Sequence, residues 1–202
     1  MITVLKGILL MKKNPITIAH LILMLLMALG TIGGAVNFII GAIGSATAKE
    51  TFSNLANILL MAVILLTILM GALYLLKGYK KQAAVYYKLF LLFHVCVCAL
   101  TIFIDLYFYQ VNFLMIVICV LNAIKLVGLL ILTFAKDLGS RTWILFYVIL
   151  GLDAMQLILA VINMAGIGFD FSFTGYVTAL IMDGTIGLSI SGKYRDKKAR
   201  GR

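Results

Sequence analysis

Three ionisable side chains lie inside long apolar stretches of this chain. Lys125, Asp153 and Asp183 each fall near the middle of a different apolar run. A charge near the centre of a hydrocarbon layer costs at least about 2.5 to 3.5 kcal/mol, so such residues usually pair, bind an ion or face a polar cavity. One cation against two carboxylates leaves one acid unbalanced, and that acid must be protonated, bind a cation or face water. The sequence therefore predicts a polar centre for a proton, a small cation or a zwitterionic solute.

Other polar residues recur at helical spacing beside this trio. Gln156 and Asn163 lie three and ten residues after Asp153, and Asn122 lies one turn before Lys125. Residues at these spacings share one face of a helix. In this interpretation the two aspartates bind a cation or proton, and Lys125 pairs with one of them or with an anionic group. Gln156, Asn163 and Asn122 would orient the solute.

A second polar face runs along the apolar stretch that contains His94, Cys98, Thr101 and Asp105, which are spaced 4, 3 and 4 residues apart. Asp105 lies within about a turn of the end of that stretch, so it is either simply solvated or guards the outer entrance. The residues His94 and His20 are interpreted as hydrogen-bonded structural or interfacial groups. No pair of His, Cys or carboxylate residues has the spacing of a metal site, so we expect neither a metal nor a cofactor.

A simpler interpretation of the charged trio is a buried ion pair. Lys125 would then pair with Asp153 or Asp183, fix the helix register and bind nothing. The sequence leaves the choice of partner open. The unbalanced second carboxylate favours a functional polar cavity over this alternative.

Glycines are concentrated in the first apolar run. Gly30 and Gly34 form a GxxxG pair and Gly41 follows two turns later. Such residues let helix backbones approach closely, either within one chain or between copies of it. A second seam of small residues repeats at every fourth position of the last run: Gly175, Ala179, Asp183, Gly187 and Ser191.

The elements that must position these residues are membrane helices. The chain has 202 residues, of which 64% are hydrophobic and 12% charged, against roughly 25% charged in ordinary soluble domains. Apolar runs of about 18 residues or more recur, each long enough to cross a hydrocarbon core of about 30 Å. A water-soluble fold is excluded. No segment between the runs is long enough for a second folded unit, so we expect one polytopic domain over residues 1–202.

The fold class expected is an all-α integral membrane protein with six transmembrane helices in a single bundle. The spans are predicted at about 15–44, 54–76, 86–109, 113–135, 142–165 and 173–191, and a basic cytoplasmic tail follows at 193–202. The first run begins with positive charges, as a signal peptide does, but it is about twice the usual apolar length of roughly 7 to 15 residues. The turn at 110–112 is so short that the third and fourth helices must be antiparallel neighbours.

Basic residues indicate the orientation, because cytoplasmic loops retain an excess of Lys and Arg. Fifteen of the seventeen Lys and Arg residues fall on one side, in the segments 1–14, 77–88, 136–141 and 193–202; the exceptions are Lys49 and Lys125. Both termini are therefore expected in the cytoplasm and the protein in the cell membrane. The net charge of +10 is explained by this topology and by contact with anionic headgroups, rather than by nucleic acid.

Three classes of function agree with this sequence. The first is a transport protein, or a membrane-embedded substrate-binding subunit of a larger transporter, with its polar centre between the third and sixth helices. This general build is similar to that of the substrate-binding subunits of energy-coupling-factor uptake systems, with no shared motif. The second is a homo-oligomeric channel, and the third an accessory protein whose basic loops dock a cytoplasmic partner. An enzyme is not expected, since no catalytic constellation or cofactor motif is present.

Overall fold

The computed structural model describes residues 15–77, 83–108, 112–135, 138–167 and 172–200, with no description of the side chains at 163–167, 172–174 and 193–200. The elements of this part of the chain are helices: α1 (Pro15–Ile43), α2 (Ala48–Leu76), α3 (Ala84–Phe108), α4 (Phe113–Phe134), α5 (Arg141–Ile167) and α6 (Ser172–Arg200). The all-helical prediction is confirmed over the described residues.

Helices α1 to α5 are long and apolar enough to cross a membrane. No more than 33% of the residues in the most apolar stretch of each of these helices are buried inside the bundle. Large apolar side chains therefore cover the outside of the bundle, where lipid rather than water is the favourable solvent. The chain is a helical multi-pass membrane protein in contact with a lipid bilayer.

The start of α2 lies six residues before the predicted boundary at residue 54. Thr47 caps the helix, because its Oγ1 accepts a hydrogen bond from the Glu50 backbone N–H at 3.2 Å. In return Glu50 Oε2 accepts one from the Thr47 N–H at 3.3 Å. This reciprocal capping box stabilises a first turn that apolarity alone does not reveal. Glu50, which lies outside the predicted span, is therefore part of the helix.

The far end of α6 also differs from the prediction. The helix continues to Arg200 rather than ending near residue 191, so most of the segment 193–202 predicted as a tail extends the last helix.

At the start of α4, Asn112 Oδ1 accepts a hydrogen bond from the Met115 N–H at 2.8 Å. That N-cap fixes where the chain re-enters the bundle after α3.

Each helix packs against the one that follows it in the chain, and α6 closes the bundle against α1 and α2. Side chains such as Phe90, Leu129, Ile149 and Ile186 are fully buried where the helices meet. A side-chain Cβ at Gly71 of α2 would lie 2.9 Å from the terminal methyl of Met24 and 3.0 Å from the Phe90 ring, so glycine favours this close packing against α1 and α3. The apolar packing surrounds a small group of buried polar residues.

Candidate functional site

Lys125 of α4 contacts two carboxylates in the interior of the bundle. Its Nζ lies 2.8 Å from both Oδ1 and Oδ2 of Asp153 on α5 and 2.8 Å from Oδ2 of Asp183 on α6. The side chains of Lys125, Asp153 and Asp183 are 2%, 1% and 0% exposed. The three residues singled out from the sequence thus form one buried charge cluster. Lys125 pairs with both aspartates rather than with one.

The charge cluster is unbalanced. A lysine ammonium has three N–H donors, and here three acceptors lie within reach: both oxygens of Asp153 and one oxygen of Asp183. The donors are used up, while Asp183 Oδ1 has no hydrogen-bond partner among the described residues. With both carboxylates ionised the cluster carries one net negative charge. Burying a charge without compensation is strongly unfavourable in a low-dielectric interior.

His94 of α3 completes the group. Its Nδ1 lies 3.6 Å from the free oxygen of Asp183, Oδ1, and its side chain is 1% exposed. Neither ring nitrogen has a hydrogen-bond partner in the part of the chain that the structure describes. Sequence reasoning left His94 outside the candidate site. The available signal was its depth, because it lies near the middle of its apolar run, as the three charged residues do.

An amide pair lies one turn from the charge cluster. Gln156 Nε2 donates a hydrogen bond to Asn122 Oδ1 at 2.9 Å, and both side chains are buried. Because α4 and α5 are antiparallel, this pair lies on the side where α4 begins and α5 ends. The predicted proximity of Gln156 and Asn122 to the charged residues agrees with these contacts. The side chain of Asn163 lies outside the described residues.

Asp105 lies away from the charge cluster. It follows His94 by eleven residues on α3, which is roughly 16 Å along the helix axis. Its side chain is partly exposed, and among the described residues its electrostatic neighbour is the Cys119 thiol of α4. The structure therefore does not bring Asp105 together with the other candidate residues.

Buried hydroxyl groups lie on the opposite side of the charge cluster from the amide pair. The Tyr74 hydroxyl of α2 lies 2.9 Å from Ser189 Oγ of α6, with either atom as donor. The Tyr74 and Tyr87 rings are in contact, with centroids 4.9 Å apart and planes tilted by 35°. Between these groups and Asp183, His20 Nε2 lies 3.1 Å from Thr185 Oγ1. Polar side chains thus continue along the bundle on both sides of the charge cluster.

On α6 the other helices approach most closely at Gly187, which belongs to the predicted seam of small residues, and at Gly184, which does not. A Cβ at Gly184 would lie 2.6 Å from His20 Cε1, and one at Gly187 would lie 2.7 Å from Phe146 Cζ. A Cβ at Gly175 would meet nothing within 4 Å. Gly184 and Gly187 therefore set how closely α1 and α5 approach the segment of α6 that carries Asp183.

The α1 glycines differ in what they face. A Cβ at Gly34 would lie 3.6 Å from the Met61 sulfur, and one at Gly41 would lie 3.2 Å from the Asn54 amide, both on α2. A Cβ at Gly30 would meet no atom of the described residues within 4 Å. The GxxxG pair is thus only half engaged within the chain.

The chemistry available at the centre is acid–base and ionic. Among the described residues no three His, Cys, Asp or Glu side chains converge as they would around a metal ion. Asp183 Oδ1 and the His94 ring, which have no hydrogen bonds to the rest of the described structure, are groups that bind protons or small cations. Comparison with protein-family models, with curated proteins and with solved structures found no match to this chain.

Proposed function

We propose that this chain is a membrane transport protein, or the membrane-embedded substrate-binding subunit of one, that handles a small cation or a proton-coupled solute. The observation that carries the proposal is the buried charge cluster of one lysine and two aspartates. A register-fixing ion pair needs only one carboxylate, and a second one adds a desolvation penalty without improving the fit. A site that binds a positive charge in part of its cycle needs that second acid.

The distribution of polar groups supports a route through the bundle. Asn122 and Gln156 lie on one side of the charge cluster, and Tyr74 and Ser189 lie on the other. Buried amides and hydroxyls stabilise passing ions and protons, whereas purely apolar packing would exclude them. The order along the bundle is amide pair, charge cluster and hydroxyl pair.

The orientation belongs to the same proposal. We take α6 as a sixth span, with both termini cytoplasmic in the cell membrane. Its support is that Thr178, Met182, Ile186 and Ile190 of α6 are buried in the bundle and that an even number of spans places nearly all basic segments on one side. The side of the bundle with Tyr74 and Ser189 then faces the cytoplasm.

The proposal is tested with the purified chain in liposomes under an imposed pH gradient and membrane potential. The probes are Na⁺, K⁺, methylammonium and the zwitterion glycine, each followed by flux. We expect Asp153→Asn and Asp183→Asn to abolish the flux of whichever probe is carried, and Asp105→Asn, a carboxylate away from the cluster, to retain it. Equal flux in all three variants would contradict a role for the cluster. No flux of any probe in the unmodified chain would contradict transport by this chain alone.

A homo-oligomeric channel is the second candidate, and Gly30 is the observation that favours it. None of the described residues fills the space beside this half of the GxxxG pair, and a helix of another copy would fill it. Native mass spectrometry in nanodiscs gives the number of copies, and planar bilayers give the conductance. A monomer without conductance would exclude the channel.

A further inference from the structure

We propose that the charge cluster holds one exchangeable proton between His94 Nδ1 and Asp183 Oδ1. Its binding follows from the structure of the site, while its role as the coupling ion rests on the proposed transport function. The pair can hold this proton in either of two protonation states. Either a protonated Asp183 donates to the His94 ring, or a protonated His94 donates to the Asp183 carboxylate.

The geometry of the two atoms carries this inference. They are 3.6 Å apart, slightly longer than the 2.7 to 3.2 Å of an N–H···O bond. A bridging water would hold its two partners roughly 4.5 Å apart, because each of its bonds is about 2.8 Å long. The gap therefore suits a direct hydrogen bond after a small side-chain shift, with the hydrogen supplied either by the Nδ1–H form of the neutral ring or by an added proton. Both atoms are buried and have no other hydrogen bond among the described residues.

Charge balance points to the same proton. Lys125 neutralises one carboxylate, and its donors are used up by Asp153 and Asp183. One added proton brings the cluster to zero net charge, which is the favourable state in a low-dielectric interior. In a neutral imidazole one ring nitrogen carries a hydrogen and the other accepts one. The added proton can therefore reside on the His94 ring while Lys125 keeps its contacts.

Other titratable groups lie near the site. They come from every helix packed around His94 and Asp183: Lys125 of α4, Asp153 of α5, Cys98 of α3, Tyr74 of α2 and His20 of α1. Asp153 has both oxygens on Lys125, and its carboxyl group also interacts with that of Asp183. Tyr74 and His20 have hydroxyl partners on α6. The free acceptor that faces His94 is Asp183 Oδ1.

Release of the proton creates a site for a small cation. Breaking the N–H or O–H bond sends the proton to water and leaves its electron pair on the cluster, which then carries one net negative charge. A small cation compensates that charge as the proton did, so the two compete for Asp183. Alternation between them would couple the movement of one to that of the other.

Histidine spectroscopy tests the proton directly, without any substrate. The chain has two histidines, so a His20→Gln background labelled with ¹⁵N-histidine reports on His94 alone. Infrared spectra of the same sample report whether a carboxylic acid is present. Between about pH 5 and 9, the range in which histidines titrate, we expect a protonated His94 or a protonated carboxyl that is lost as the pH rises. Asp183→Asn should remove this signal. Every sample, including the reference, carries Asp105→Asn, because Asp105 is a partly buried carboxyl whose own infrared band would overlap that of Asp183.

Three results would overturn the proton site: no protonated group at any pH in this range, a protonated group that never releases its proton, or the same titration in Asp183→Asn. If Asp183→Asn does not fold, the titration of the unsubstituted site is still informative. It shows whether a protonated group is present and whether that group releases its proton. His94→Gln then replaces Asp183→Asn as the variant that should change the titration.

Flux measurements separate this inference from the proposed function. Transport that proceeds equally with and without a pH gradient would remove the coupling role and leave the transport proposal standing. A titrating proton at His94 and Asp183 in a chain that moves none of the probes would leave the proton site and remove transport.

Discussion

Lys125 contacts both carboxylate oxygens of Asp153 at 2.8 Å, so these two residues form a complete ion pair between α4 and α5. Asp183 receives the one remaining ammonium hydrogen through a single oxygen. The two aspartates are therefore unequal, although their residue type and predicted depth are the same. Asp153 holds the lysine in place, and Asp183 has the oxygen that is free to bind something else.

Removing the lysine should destabilise the protein strongly. Lys125→Met leaves two buried carboxylates without a cation, and removing one partner of a buried ion pair typically costs about 3–5 kcal/mol. We expect a marked fall in the thermal unfolding temperature in detergent. The control is the triple variant Lys125→Met, Asp153→Asn, Asp183→Asn, which has no buried charge and should regain most of the stability. If Lys125→Met were as stable as the unmodified chain, the two carboxylates could not be buried away from water as described.

The two aspartates should differ when each is replaced alone. Asp183→Asn leaves the Lys125–Asp153 pair intact and neutral, so its unfolding temperature should stay close to that of the unmodified chain. Asp153→Asn takes a bidentate acceptor from a buried ammonium, and leaving such donors poorly paired costs about 1–3 kcal/mol. The same thermal melts, run side by side, measure the difference. The opposite order of stability would show that the contacts of Lys125 are assigned to the wrong aspartate.

The amide pair should behave as a coupled unit. Gln156 donates to Asn122 at 2.9 Å in a buried environment. Replacing either residue with leucine leaves the other amide unpaired, at about 1–3 kcal/mol, whereas the double replacement leaves no polar group behind. A double-mutant cycle on unfolding free energy should therefore give a double variant less destabilised than the two single losses added together. Simple additivity would mean that the two amides do not depend on each other.

The features that could be predicted from the sequence are those that follow from the high cost of burying polar groups in hydrocarbon. Lys125, Asp153 and Asp183 stand out because hydrocarbon cannot solvate them, and the structure brings them together. The contact between His94 and Asp183 was not predictable, since it depends on how α3 and α6 are positioned relative to each other and no local spacing encodes that. The early start of α2 was predictable in principle. Thr47 and Glu50 have the three-residue spacing of a capping box, but a boundary drawn from apolarity alone passes over it.

Glycine substitutions should separate close packing within the chain from contact between copies. A Cβ at Gly184 would lie 2.6 Å from His20 Cε1, so Gly184→Ala must displace the His20 side chain from its contact with Thr185 or move α1 away from α6. Overpacking of this kind costs typically about 1–3 kcal/mol, and the loss should be reduced when His20→Ala is added, because the smaller side chain frees the space. Gly30→Ala, which meets nothing within 4 Å, is the matched control for stability. Gly30→Leu tests contact between copies. If it changes the number of copies seen by native mass spectrometry while the unfolding free energy stays the same, that face of α1 is an oligomer contact. An unchanged number of copies would assign the face to lipid.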